Sequence, residues 1–147
     1  MNRTATVLSI AVAFAAGCGV THFLLPAFAA DTIAAQVIHT GELEGDALSP
    51  ANPSGMRNKL FVGLDGITIA VQDGNTPKHL HTDANEMQYI LDGTGTIWLG
   101  DKRVKPGDLV IIPKGTPQGG SKPDGRTFKA IAIKSPPQAP EDVKLLN

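Results

Sequence analysis

Disulfides are the first thing this 147-residue sequence lacks. Cys18 is its single cysteine, which excludes an internal disulfide framework and any cysteine-rich zinc site. A basic excess is missing too: 13 Lys and Arg stand against 14 Asp and Glu, for a formal charge of −1. Nucleic-acid binders neutralise phosphates with surplus Lys and Arg, so no nucleic-acid partner is expected. Aromatic residues are scarce at 5%, and no basic aromatic face, phosphate-cradling glycine loop or Ser-His-Asp arrangement is visible. Blocks of like charge, internal repeats and low-complexity tracts are absent as well. What the chain has in quantity is turn residues. Sixteen Gly and eleven Pro argue against a helical bundle, and the length suits one domain.

The first thirty residues differ in kind from the rest. Met1 to Ala30 contains one charged residue, Arg3, and an apolar stretch runs from Val7 to Leu25. Ala27-Phe28-Ala29 then places small residues at the two positions a signal peptidase reads. Residues 1–29 are therefore expected to be a signal peptide, which makes the protein periplasmic or secreted. The alternative is an uncleaved anchor, because residues 7–30 can span a bilayer at ~1.5 Å per residue. Cys18 is a weaker candidate for lipidation, since Ala15-Ala16-Gly17-Cys18 lacks the large aliphatic residue that usually opens a lipobox. Cleavage removes Arg3 and no acidic residue, moving the charge from −1 to −2.

The remainder reads as short strands separated by turns. Asp-Gly recurs at Asp65-Gly66, Asp73-Gly74, Asp92-Gly93 and Asp124-Gly125, and Asp-Gly between apolar runs signals hairpins. Ile67, Ile69 and Val71 alternate with Thr68, Ala70 and Gln72, a period of two. Met87–Leu91, Thr96–Leu99, Leu109–Ile112 and Phe128–Ile133 have strand length, and Pro106-Gly107-Asp108 is a tight turn feeding the third of these. A helix is considered only around Thr32–Val37. The fold expected is all-β: a single-domain sandwich or barrel. Residues 30–59 supply an extension and first strands, 60–134 the barrel core, and 135–147, with Pro136-Pro137 and Pro140, a stiff extended tail.

His79 and His81 stand two apart. On a strand, i and i+2 face the same side, so both imidazoles can converge on one point. Glu86 follows the polar stretch Thr82-Asp83-Ala84-Asn85, which is able to turn the chain and return a carboxylate on the neighbouring strand. Two nitrogens and one oxygen suit a divalent Mn, Fe, Co, Ni, Cu or Zn ion. If Glu86 points inward, alternation turns Gln88 and Ile90 inward as well, making Gln88 a candidate pocket group for substrate. Met87, Tyr89 and Leu91 then face the other way. His39 reads as a surface or core histidine, Tyr89 and Trp98 as barrel packing, and Gly115 and Gly119-Gly120 as turns.

At this point the residues resemble a known family. His79-x-His81-x₄-Glu86-x₆-Gly93 is similar to the first motif of the cupins. Gly107-x₅-Pro113-x-Gly115, with Thr116-Pro117 after it, is similar to the second. The resemblance covers Leu60 to Ile133 and implies a jelly-roll β-barrel of six to eight strands with its site inside. It also implies metal ligation by His79, His81 and Glu86, with a fourth histidine where this chain has Gln118. Two other departures are minor: Asp73 stands at the opening glycine, and Lys122 at the closing asparagine. Gln118 is the departure that matters, because an amide oxygen is a weaker donor than imidazole. It can ligate weakly, hydrogen-bond a metal-bound water, or leave the position open, and an open position is what a catalytic metal needs.

The functional reading is an exported cupin that holds a divalent transition metal on His79, His81 and Glu86 with Gln118 beside it. As an enzyme it would act on a small oxygenated molecule, by dioxygenase-like, isomerase or decarboxylase chemistry, among which the fold does not choose. The alternative is a non-catalytic module with a degenerate metal site, binding a small molecule or pairing as a homodimer.

Overall fold

β-branched runs of four to eight residues cannot close a helix face, and they pair instead. The computed structural model describes residues 33–64 and 66–147. The signal or anchor expected at the N-terminus, together with Cys18, lies outside the described residues. Among the described residues ten strands are seen: β1 (Arg57–Leu64), β2 (Ile67–Asp73), β3 (His79–His81), β4 (Asn85–Asp92), β5 (Gly95–Ile97), β6 (Lys102–Val104), β7 (Leu109–Ile112), β8 (Lys122–Pro123), β9 (Lys129–Ser135) and β10 (Val143–Leu145). They form a five-stranded sheet in the order β1-β2-β9-β4-β7, a three-stranded sheet β6-β5-β8 and a ribbon β10-β3, all antiparallel. The expected all-β jelly-roll barrel is what the chain forms. Among the described residues, no helix is long and apolar enough to cross a membrane.

Strand alternation sorts side chains into two layers. Ile90, Ile97, Val104, Val110, Ile112, Phe128 and Ala130 fill the space between the five-stranded and three-stranded sheets. The outer side of the large sheet has its own small core. There Val71 packs with Leu43 and Leu48, joined by Ile38, Phe61 and Ile131. Burying each such side chain is worth ~1.5–3 kcal/mol, which fastens residues 38–48 to the sheet. The apolar face of β2 thus points away from the barrel, and Gln72, on its other face, lines the interior. On β9 the inward residues are Ala130, Ala132 and Lys134. The two alanines lie opposite Ile90 and Gln88 of β4 and leave room for a cavity.

Three expectations need correction. Residues 33–37 have no regular structure, so the helix considered at Thr32–Val37 does not form there. Only the Asp65-Gly66 step connects strands that pair with each other. At Asp73-Gly74, Asp92-Gly93 and Asp124-Gly125 the chain passes between sheets. At Gly93 (φ +88°) the reason for glycine is close approach: a Cβ would lie 2.7 Å from the Thr127 carbonyl oxygen. Finally, residues 135–147 do not trail away. Pro140–Asp142 makes a 3-10 turn, and β10 pairs with β3 in the register Val143↔His81. A three-residue strand whose partner lies some sixty positions back has no local signature.

Candidate metal centre

β3 presents His79 and His81 on one face, their ring centroids 5.2 Å apart and nearly perpendicular. Backbone bonds lock Gln118 beside them: His79 N–H donates to the Gln118 carbonyl at 2.8 Å, and Gln118 N–H to the His79 carbonyl at 2.7 Å. The turn from β3 to β4 is held by Asp142, whose Oδ1 accepts the N–H of Asp83 at 2.6 Å and of Ala84 at 3.2 Å. That turn brings Glu86 back against the histidines. Ligand atoms of His79, His81 and Glu86, all buried, lie within 4.8 Å of one another.

Hydrogen bonds assign the tautomers. The Pro77 carbonyl can only accept, so His79 Nδ1–H donates to it at 2.8 Å. His81 Nδ1 lies 2.5 Å from Asp142 Oδ2, and the carboxylate fixes the proton on that nitrogen. Both Nε2 atoms are left as lone-pair donors. With its proton on Nδ1, the buried His81 Nε2 faces Glu86 Oε2 at 3.1 Å as one acceptor against another, unpaired unless a proton or a cation lies between them. Leaving a buried polar atom unpaired costs ~1–3 kcal/mol, and a proton or a cation held by both atoms removes that cost. A divalent ion fits this donor set: two imidazole nitrogens oriented by partners behind them, and a carboxylate.

Glu86 has donors on both oxygens. Gln118 Nε2 donates to Oε2 at 2.6 Å and Gln88 Nε2 to Oε1 at 3.0 Å. Lys134 Nζ lies 3.5 Å from Oε1. Burial pushes the Glu86 carboxyl up, but His81, Lys134, Gln88 and Gln118 outweigh it and pull it down to about 2. Burial also lowers His79, only partly offset by the Pro77 carbonyl. His81 is raised instead, because Glu86 and Asp142 together overcome its burial. For Asp142, burial acts upward, but the Asp83 N–H, His81 and the Ala84 N–H hold the carboxyl below its usual range.

The structure therefore gathers His79, His81, Glu86, Gln88 and Gln118 at one place. Gln118 addresses Glu86 with its amide nitrogen and steadies the carboxylate. His39 is exposed and apart from the cluster, and Tyr89 is 42% exposed on the outer face of β4 rather than packed in the barrel. Trp98 lines a recess of mixed apolar and polar walls with Ile90, Phe128, Gln88 and Gln118, its ring 4.3 Å from Lys78 Nζ. Gly119 is more than a turn: at φ +79°, an added Cβ would lie 2.3 Å from the Pro77 carbonyl oxygen and 3.0 Å from His79 Nδ1.

Two site residues escaped the sequence reading. Lys134 has a local signal, because parity along β9 puts it on the same face as Ala130 and Ala132. Asp142 has none, since only the docking of the Pro-rich segment brings it to His81. Asp142→Asn is expected to lower divalent-ion affinity by ~10–100-fold, the usual cost of losing a carboxylate behind a ligating histidine. Competition with a chromophoric chelator measures it, and an unchanged affinity would remove Asp142 from any such role.

A cavity of about 270 Å³ opens beside the cluster, lined by His79, His81, Glu86, Gln88 and Lys134 among others. Comparison with known proteins follows the same outline. The Cupin_2 family, described as a cupin domain, matches residues 67–133. The uncharacterized protein MJ1618 of Methanocaldococcus jannaschii is 27% identical over 118 residues, covering 79% of this chain and 90% of its own. Among solved structures, the polyketide cyclase RemF of Streptomyces resistomycificus superposes with a TM-score of 0.59 at 20% identity, covering 78% of this chain and 87% of that one. The nucleoside dehydratase Pac13 of Streptomyces gives 0.57 at 14% identity, over 68% and 85%. A Klebsiella pneumoniae protein with a double-stranded β-helix domain gives 0.61 at 16% identity, over 78% and 99%. At these identities the structural likenesses establish the fold.

Proposed function

The chain belongs to the cupin superfamily through its domain at residues 67–133, and from that premise we propose that it is a metal-dependent cupin acting on a small oxygenated molecule. Nε2 of His79 and His81 and the Glu86 carboxylate would hold the ion, with Gln118 at the fourth position steadying Glu86. The donor set admits Fe, Mn, Ni, Co, Cu or Zn. The observation that carries this reading is the convergence of buried ligand atoms of His79, His81 and Glu86 within 4.8 Å of one another, with His81 Nε2 and Glu86 Oε2 set acceptor against acceptor. Bound there, the ion would supply Lewis-acid chemistry to an oxygen of the substrate. The chain's own contribution is to orient both imidazoles through the Pro77 carbonyl and the Asp142 carboxylate, and to place Gln88 and Lys134 on the cavity wall. Two of the similar structures, a polyketide cyclase and a nucleoside dehydratase, are enzymes on this fold, which supports turnover over passive binding.

The Lys134–Glu86 pair favours a second reading, a metal-free binding module in which the lysine neutralises the carboxylate. Elemental analysis of tag-free protein separates the two. About one transition metal per chain is expected for the first reading, and none, even after soaking with divalent ions, would leave the second.

Acid should release the ion in a characteristic range. Binding needs His81 neutral, and its raised pKa means that protons compete from above pH 6.5 downward. Glu86, at about 2, stays ionised throughout that range and does not set the loss. In the ion-free protein the signs separate. Glu86 contributes stability that is full above about 4.5 and is lost as pH falls towards 2. His81 contributes stability that is full below 6.5 and lost as pH rises through its higher folded value. His79, lowered, behaves oppositely to His81 and loses its contribution on acidification. Urea unfolding from pH 2 to 8, with chelator competition from pH 5 to 8, checks both. Ion affinity that is flat between pH 5 and 7 would contradict the assignment.

Export and pairing are further proposals. Signal cleavage after Ala29 would deliver the protein to the periplasm or medium, and N-terminal sequencing should then start at Ala30. Intact Met1 in a membrane fraction would support anchoring by residues 7–30. Tyr89, Leu109 and Ile111 are exposed on the adjacent strands β4 and β7, a face that a second copy would cover. Sedimentation at the mass of one chain would reject the homodimer.

A further inference from the structure

Lys134 is the charged group of the cavity that ion binding leaves unused. Parity along β9 turns it inward directly opposite Glu86 of β4, and its side chain is only 5% exposed. Fully burying a lysine is rare unless the charge has a partner. Here the partner is Glu86, with Nζ 3.5 Å from Oε1. Around the same cavity stand five neutral amides: Asn52, Asn58, Gln72, Gln88 and Gln138. Gln88 already gives an N–H to Glu86 and the Asn52 carbonyl already accepts from Ser54 and Met56, which leaves the Gln88 carbonyl, the Asn52 N–H groups and both ends of the other three amides for a ligand. Among the described residues no aspartate and no arginine lines the cavity, and Glu86 is its only carboxylate.

Charge counting shows what a metal-loaded site lacks. A divalent ion resting on Glu86 brings two positive charges beside the ammonium of Lys134. Glu86 supplies one negative charge, and Asp142, behind His81, supplies a second. One positive charge is left over in a largely buried space, and the ion and the ammonium repel each other. Uncompensated buried charge is costly, so the loaded cavity is poised for an anion. The amides add a preference for hydroxyl groups, which can donate and accept in turn. A volume of about 270 Å³ falls just under the range of drug-sized pockets and limits the ligand to a small metabolite.

We propose that the cavity binds a small hydroxylated carboxylate, its anionic group answering both Lys134 and the ion and its hydroxyls meeting the surrounding amides. This rests on the metal-centre reading and names the substrate class for it. Lys134 is the specificity determinant: it rejects neutral polyols of the same shape by leaving its charge unanswered when they bind.

Calorimetry with glycerate and glycerol as probes tests this, on full-length protein loaded with whichever of Mn(II), Fe(II), Ni(II) or Zn(II) it takes up. Wild type should bind glycerate at least tenfold more tightly than glycerol. Lys134→Met should lose tenfold or more for glycerate, leave glycerol unchanged, and hold its ion as tightly or severalfold more tightly, because a like charge is gone. Opposite movements of ion and glycerate affinity are not what loss of packing produces. Lys134→Arg should recover much of the glycerate binding. Ion uptake with equal glycerate affinity in wild type and Lys134→Met overturns the anion reading alone, as does equal wild-type affinity for glycerate and glycerol. That second comparison stands even if the variant does not fold. A wild type that takes up none of the four ions overturns the metal centre, and this proposal with it.

Discussion

His79→Ala and His81→Ala are each expected to lower the affinity for a divalent ion by at least a hundredfold, about 2.7 kcal/mol. Each removes one of only three strong donors, and loss of a group merely behind a ligand already costs ~10–100-fold. His39→Ala, altering an exposed histidine away from the cluster, should leave affinity unchanged and so controls for general effects of losing an imidazole. The two site variants should differ in stability. His79→Ala frees only the Pro77 carbonyl, whereas His81→Ala strips a partner from both Glu86 and Asp142, two buried carboxylates. Titration against a chromophoric chelator gives the affinities and urea unfolding of ion-free protein gives the stabilities. Undiminished ion binding in either variant would place the ion elsewhere.

Glu86→Ala is expected to destabilise the ion-free protein by ~3–5 kcal/mol. It leaves the Lys134 ammonium without its counter-charge and removes the acceptor of the Gln88 and Gln118 amides. The energetic asymmetry of buried ion pairs makes the companion experiment decisive. Replacing both partners, as Glu86→Leu with Lys134→Met, should recover most of the loss, because neither charge is then stranded and apolar groups fill the space. Equilibrium urea denaturation of wild type, single and double variants reads the coupling directly. A Glu86→Ala protein within ~0.5 kcal/mol of wild type would mean that Lys134 finds water or another partner, contrary to its burial here. With both the carboxylate and the lysine gone, ion binding should be lost while the barrel stays folded. That separates the energetics of the site from those of the fold.

What the sequence determined by itself follows from short-range geometry. Period-two runs and glycine-rich turns specify an all-β fold, since alternation and turn chemistry are properties of a few consecutive residues. The His79–His81 spacing puts two imidazoles on one side of a strand wherever that strand lies, and inward Glu86 carries Gln88 and Ile90 with it. The tertiary structure decided everything that depends on which strands become neighbours. Asp142 reaches His81 only because β10 pairs with β3, and no composition or spacing in residues 135–147 announces that pairing. Lys134 meets Glu86 only through the β4–β9 register, which a shift of one residue would abolish by turning the lysine outward. The same holds for Gln118: the cupin resemblance implies a fourth ligand position there, but packing against Glu86 turns its amide nitrogen to the carboxylate. Even the apolar face of β2 was ambiguous on its own, because residues 38–48 cover the outside of the sheet and draw it away from the barrel. A strand's pattern says that one face is buried, and only long-range packing says against what.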